Sequence, residues 1–313
     1  MILQLNRMCF IISLFFGQVL LGEDFGYIYT ETWNIGDDIQ SVAAARFLPR
    51  DSIPIDREMV SCFFSQKQIP TIMNGWFMWT KEFWDREKIP LPDQSWPPSA
   101  SIDPLLISIH FCEECFPKVF TKEGIQYLKD HGPVGARDTT TLKELEKRGV
   151  PSYFSGCLSL TLENTSQGKD DVIYAVDIPD SAIEYLQEHT RSKVEIIRHG
   201  FFVGPFYHSP AKRLELAKAL LEKYQRAKCV VTTRLHACLP CLAFETPVLF
   251  LTGGDGSRFD GLRDCYHQCS LAELLQGRAN YTFDNPPENP KKHLELRNQL
   301  IETVTKWVAS KNL

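Results

Sequence analysis

The sequence predicts an α/β protein built from two Rossmann-like halves that face each other across an interdomain cleft. Three observations carry this. Short apolar runs of strand length alternate with amphipathic stretches of helix length along the whole chain. Strands alternating with helices fold as parallel sheets. A polar stretch, Glu163 to Asp171 (ENTSQGKDD), divides that series in two. The domains expected are 23–165 and 166–313, with the final helix a candidate to return to the first half.

The elements follow in order. FGYIYT (Phe25–Thr30) is a first strand; NIGDD then reads as a turn, and Ile39 to Phe47 as a helix. PTIMNGWF and LLISIHF are apolar runs of buried-strand length. PVGARD is a short strand ending at Arg137. Asp138 suits the N-cap of TTTLKELEKR, and Gly149 its C-terminal stop. In the second half DDVIYAVD and KVEIIRHG are strands. Ser209 and Pro210 fit the cap and first position of a helix whose apolar face is Leu214, Ala217, Leu221 and Tyr224. AKCVVTT is the next strand, followed by a helix from Leu235 to Phe244, then the strand TPVLFLTGG. A last helix spans Lys291 to Ser310, striped by Leu296, Leu300, Val304 and Val308.

Composition bounds the function. The chain has 313 residues, 43% of them hydrophobic, and a formal net charge of −5. That charge, with no long basic stripe, excludes an ordinary nucleic-acid binder. Arg7 followed by the apolar run Met8–Leu21 suits a signal peptide or short anchor over 1–22, or else a buried N-terminal strand. Membrane association is expected only through that segment. If it is a signal, the chain is secreted or membrane-anchored; otherwise it is cytoplasmic. The ten cysteines include three pairs, Cys112/Cys115, Cys238/Cys241 and Cys265/Cys269. Disulfides fit a secreted chain. A zinc site does not fit: the two CxxC pairs stand about 120 residues apart, and Cys238 and Cys241 sit in an apolar run. No metal is expected. Asn164 and Asn280 lie in glycosylation sequons.

The charged residues at strand ends point to a ligand. In open α/β sheets, ligands bind beyond the carboxyl ends of the strands. Arg137 lies at such an end in the first half, and Arg234 and His236 in the second. Each precedes a helix start, whose free N–H groups attract anions. GGDGSRFDG brings Arg258 to the same edge, and Gly36 in NIGDD permits a tight turn. Asp37 and Asp38 suit sugar hydroxyls or proton transfer, or they cap the helix that follows. Two or three Arg and a His suit a small, highly charged anion.

Three stretches carry a family resemblance: NIGDDIQSVAAARFL, PVGARDTTTLKELEKRGV and TTRLHACLPCLAFETPVL. With them the chain resembles the polysaccharide pyruvyl transferases. The resemblance implies a two-domain fold like that of the GT-B glycosyltransferases. It implies transfer of pyruvate from phosphoenolpyruvate to hydroxyls of a sugar or polysaccharide, forming a ketal, with no cofactor beyond that donor. It implies donor-binding roles for Arg137, Arg234 and His236, and for Arg258, which stands near a basic position of the family. Gly36 and Asp37 are expected on the donor side. His236 would hold or protonate the departing phosphate, and Asp38 or Asp138 would take a hydroxyl proton. Pro240 inside the helix after RLH and the N-terminal apolar segment depart from the family pattern. Two alternatives stand beside this: a GT-B glycosyltransferase with a nucleotide-sugar donor, for which Asp255 or Asp260 would contact the ribose, and a non-catalytic glycan-binding relative.

Overall fold

Two parallel sheets, each flanked by helices, make up the computed structural model, which describes residues 24–78, 96–200, 209–253 and 256–311. The N-terminal segment 1–22 and Asp255 lie outside the described residues. The first sheet contains β1 (Gly26–Tyr29), β2 (Ile53–Asp56), β3 (Ile69–Phe77), β4 (Ile102–Phe111), β5 (Val134–Ala136) and β6 (Ser152–Phe154), in the order β2-β1-β3-β4-β5-β6. The second contains β7 (Val172–Val176), β8 (Lys193–Ile197), β9 (Cys229–Thr232), β10 (Val248–Thr252) and β11 (His267–Ser270), in the order β11-β10-β9-β7-β8. Both run as a 2-1-3-4-5 series from one edge. In each, the chain reverses its direction of winding beside the first strand, between β1 and β3 and again between β7 and β9. Such switch points open a crevice at the carboxyl edge of a sheet.

The helices in chain order are α1 (Ile35–Ala45), α2 (Phe116–Val119), α3 (Lys122–Asp130), α4 (Thr139–Glu146), α5 (Asp180–His189), α6 (Pro210–Arg226), α7 (Leu235–Ala243), α8 (Leu271–Leu275) and α9 (His293–Lys311). Asp138 caps α4 by accepting from the Thr141 N–H at 2.8 Å. Gly149 ends that segment at φ +67, a conformation free of strain only for glycine. Ser209 caps α6, with Pro210 in its first position.

The start of α1 differs from the sequence expectation. NIGDD is its cap and first turn rather than a separate loop. The Asn34 side chain accepts from the Gly36 N–H at 3.0 Å, and Ile35 N–H donates to the His199 carbonyl at 3.0 Å. Two of the first-turn donors thus find partners despite the poor helix formers around them.

The space between the sheets is largely filled. Ile39 and Val42 of α1, Leu221 and Tyr224 of α6, Leu239 and Leu242 of α7 and Leu300 of α9 belong to one apolar cluster. Helix α9 also touches the first half directly: the Trp307 ring meets Phe25 edge-on, and Lys311 pairs with Asp103 at 2.5 Å. What stays open is a recess where the carboxyl edges of both sheets meet. The nine described cysteines are all free thiols. Among the described residues, no helix is long and apolar enough to cross a membrane.

Candidate active site

A narrow cavity sits at that meeting of edges, lined from both halves. The first half contributes Asn34, Gly36 and Asp37 from the start of α1, Trp76 from the end of β3, and Arg137 after β5. The second contributes His199 after β8, Arg234, Leu235 and His236 after β9, and Arg258 after β10. A second, larger cavity of about 870 Å³ shares Asn34, Asp37, Trp76, Arg234 and Arg258 and adds Thr32, Trp33, Met78 and Gly200.

The local sequence aims each group. Beyond β9, Thr232 Oγ accepts from the Arg234 N–H at 2.9 Å, which fixes the turn into α7. Arg234 Nε donates to Asp177 Oδ2 at 2.8 Å. Asp177 holds φ +50 at the end of β7, and its Oδ2 also accepts from the His199 N–H at 3.1 Å. One carboxylate therefore positions both the Arg234 guanidinium and the His199 backbone. His236 breaks the regular geometry of α7, with ψ +15. The cause is Pro240, four residues on. It has no N–H for the His236 carbonyl, and its ring crowds that carbonyl. The departure from the family pattern thus shapes the backbone at the site itself. In the first half, the register of β3 on β4 shifts between Met73 and Gly75, and Gly75 takes φ +143. Bulges of this kind re-aim the next side chain, here Trp76. Its ring lies 5.4 Å from the Arg258 guanidinium carbon.

The cavity is strongly cationic. Arg137 is 1% exposed. Its Nη1 donates to Gln40 Oε1 at 3.2 Å, while its Nε is buried without a partner. No ion pair to Arg137 occurs among the described residues. Asp37 is the one carboxylate among the described lining residues, and it is engaged by Thr32 Oγ at 2.9 Å, Gln40 Nε2 at 3.2 Å and the Arg57 guanidinium at 3.9 Å. Burial, together with Arg137, His199 and Arg258, holds the His236 imidazole well below its ordinary pKa, which favours the neutral ring. His199 is pushed down to about 4, again chiefly by burial. Its Nε2 pairs with the Tyr224 hydroxyl at 2.7 Å, and its Nδ1 is buried without a partner beside Gly36. Cys157 Sγ stands 3.7 Å from His236 Nε2.

The structure brings Gly36, Asp37, Arg137, Arg234, His236 and Arg258 to one cavity. It does not bring Asp38 or Asp138 there. Asp38 is buried in a two-pronged pair with Arg213 of α6: Nε to Oδ1 and Nη2 to Oδ2, both 2.8 Å. Burial pushes its pKa up to about 7, against the charge and hydrogen bonds of Arg213, which act to lower it. Asp138 is fully buried, with one oxygen on the α4 N-terminus and the other 2.6 Å from His110 Nδ1. Both carboxylates expected to take a proton are held in the scaffold. Asp260 is bonded by Thr140 at 3.2 Å and Arg263 at 3.4 Å and is absent from the cavity lining. Among the described residues, no three His, Cys, Asp or Glu side chains gather as metal ligands.

Sequence reasoning missed His199, Asp177, His110 and Trp76. The signal was present for three of them. His110, Asp177 and His199 end or directly follow apolar runs, where strand ends meet ligands.

The family model for polysaccharide pyruvyl transferases matches residues 34–255. The chain belongs to the polysaccharide pyruvyl transferase family. The matched span runs from the α1 cap to the loop beyond β10, so it includes every lining residue of the inner cavity except Arg258. This family member matches no curated protein. Among solved structures it is similar to an uncharacterized protein from Klebsiella pneumoniae subsp. pneumoniae NTUH-K2044, at 12% identity over 75% of this chain and 85% of that one, with a TM-score of 0.45. It is also similar to S. aureus MnaA in its co-structure with UDP, at 10% identity over 91% of both chains, with a TM-score of 0.41.

Proposed function

We propose that this pyruvyl transferase takes pyruvate from phosphoenolpyruvate and fixes it as a ketal across two hydroxyls of a polysaccharide. The observation that carries this is the cavity's charge. Among the described lining residues, three Arg and two neutral His face it, Arg137 Nε and His199 Nδ1 are buried without partners, and the one carboxylate is already engaged. Such a surface calls for a compact polyanion, and phosphoenolpyruvate carries a phosphate and a carboxylate on a three-carbon frame. The larger cavity, floored by Trp33 and Trp76, offers a sugar an aromatic face. The two halves would then act as the two domains of a GT-B-like enzyme, with donor and acceptor meeting between them.

The chemistry follows from the residues. A proton adds to the methylene carbon of the donor, and one sugar hydroxyl attacks the cationic carbon and loses its proton. Phosphate then leaves, and the second hydroxyl attacks and closes the ring. Two hydroxyl protons are released, one replacing the proton given to carbon and one going to phosphate. Arg137, Arg234 and Arg258 stabilise the growing negative charge on phosphate. The anion also reverses the electrostatics at His236: with the neighbouring cations neutralised, the ring takes up a proton and can deliver it to the leaving group.

Calorimetric titration with phosphoenolpyruvate tests this, run in two buffers of different ionisation enthalpy. We expect binding with net proton uptake, and loss of that uptake in His236→Ala. Arg234→Ala and His236→Ala should each lower the ketal-forming rate at least ~100-fold, the scale for removing one such group. Binding of a uridine nucleotide with no response to phosphoenolpyruvate would refute the reading in favour of a nucleotide-sugar donor.

A further inference from the structure

We propose that Cys112 and Cys115 are a reversible thiol–disulfide pair beside the cavity wall, oxidised by exchange with a small-molecule disulfide. The inference does not depend on which donor the site takes. Of the three cysteine pairs in the sequence, this is the one whose sulfurs meet among the described residues. The turn Glu113–Cys115 folds back so that Cys115 N–H donates to the Cys112 carbonyl at 2.9 Å. This brings Sγ of Cys112 and Sγ of Cys115 to 2.6 Å. Cys238 and Cys241 are instead fully buried within α7, and burial raises both thiols. Cys265 and Cys269 are also buried, with burial pushing each up to about 11.

The pair is asymmetric in the way exchange requires. Cys112 is half-buried, and Cys115 is fully buried behind it with its thiol on the Met78 carbonyl at 3.0 Å. A reagent therefore reaches one sulfur and not the other. The Cys115 thiol, more than any other neighbour, holds Cys112 below its ordinary pKa, against the opposing effects of burial and Glu114. A lowered pKa raises the thiolate fraction available for attack.

The step balances. The Cys112 thiolate attacks one sulfur of the external disulfide, forms a mixed disulfide and expels one thiolate. Cys115 then gives up its proton and attacks the Cys112 sulfur. The internal bond forms and the second thiolate leaves. The protein loses two electrons and two thiol protons, and the reagent becomes two thiols.

The consequence reaches the site. Both thiols lie near the last carbonyls of β3 and its extension, Phe77 O at 4.0 Å and Met78 O at 3.0 Å, and Met78 lines the larger cavity. Oxidation withdraws the Cys115 donor from that carbonyl.

The test is equilibration of the full chain in oxidised and reduced glutathione, followed by acid quench, alkylation and peptide mapping. The expected product is a peptide with Cys112 and Cys115 unalkylated and two hydrogens lighter, restored by dithiothreitol. Cys115→Ser should accumulate a glutathione adduct at Cys112, and Cys112→Ser should leave Cys115 unmodified. A second probe needs no variant. Phenylarsine oxide bridges two adjacent thiols, so it should bind the folded wild type and protect both residues from alkylation. Independent alkylation of both thiols at every glutathione ratio, or failure of the arsenical to protect them, overturns the proposal.

Discussion

Asp38 offers the sharpest test of the structure, because sequence and structure assign it different work. The sequence suggests a proton acceptor. In the structure its two oxygens take two 2.8 Å hydrogen bonds from Arg213, whose Nη2 also donates to the Thr32 carbonyl at 2.6 Å. The side chains are 3% and 2% exposed. Asp38→Asn would remove the carboxylate that takes both of these hydrogen bonds from the buried guanidinium. Breaking a buried pair in this one-sided way costs about 3–5 kcal/mol. At roughly 2–4 °C per kcal/mol for a chain somewhat smaller than this one, the melting temperature should fall by about 6–20 °C. Arg213→Met should cost a similar amount. The double variant Asp38→Leu/Arg213→Met should recover much of the loss, since an apolar pair leaves no charge uncompensated. Scanning calorimetry of the four proteins measures this, and donor titration well below each transition checks the cavity. A Tm for Asp38→Asn within about 1 °C of wild type, together with a ~100-fold fall in turnover, would refute the scaffold role and return Asp38 to the chemistry.

Two further outcomes follow from the same geometry. A Cβ at Gly36 would lie 3.0 Å from Asn34 Oδ1 and 3.3 Å from both His199 Nδ1 and His236 Cβ. Gly36→Ala should therefore weaken donor binding at least tenfold by calorimetry while changing Tm little, because alanine's helix preference of about 1 kcal/mol offsets the crowding. Stability should also fall with acid in a defined window. His199 titrates at about 4 in the fold and near 6.5 when unfolded. The unfolded state binds the proton first, so the stability is present above about 6.5 and is lost as pH falls from there through about 4. The difference, 6.5 − 4, corresponds to about 3 kcal/mol. His236 and His110 are lowered too and act in the same direction, while Asp38, pushed up to about 7 by burial, acts in the opposite one over the same window. Denaturant melts from pH 7 to pH 4 check this, with His199→Gln expected to flatten the profile; an unchanged profile in that variant would assign the acid sensitivity elsewhere.

The strand–helix alternation was legible because buried parallel strands are continuous apolar runs, and caps such as Asp138 and Ser209 announce their helices. The start of α1 was not. Gly36, Asp37 and Asp38 are poor helix formers, and their helical state rests on distant partners, His199 O for the Ile35 N–H and Arg213 for Asp38. The short strands β2, β6 and β11 carry too few apolar residues to stand out, and Pro54 lies inside the first of them. Helix α5 passed unread although Ala182, Ile183 and Leu186 form its buried face. Strand-end logic brought Arg137, Arg234, His236 and Arg258 to one cavity. It did not show that Asp38 and Asp138 lie off that lining, because a carboxylate's place depends on what it pairs with, and those partners are Arg213, 175 residues away, and His110, 28 residues away.

Why the site sits at a junction, rather than within either sheet, follows from the cost of its charges. Arg137 lies in the first half with its Nε unpartnered, and His199 and His236 lie in the second as neutral rings. A buried cation without a counter-ion is expensive for the fold alone. Asp37, on the cavity lining, moderates it through Gln40, which accepts from Arg137 and donates to Asp37. Asp177 performs a similar service for Arg234 and, through its backbone, His199. Each half thus carries an acidic residue whose hydrogen bonds orient the cationic side of the cavity. Under the proposed function, an anion would supply the acceptors for Arg137 Nε, which is electrostatic preorganisation in residue-level terms. Pro240 belongs to the same logic. By disrupting the backbone at His236, it sets the ring at the cavity from a helix whose remaining residues are buried in the junction core. The resistance of that core to sliding is what fixes the two sets of cations against each other.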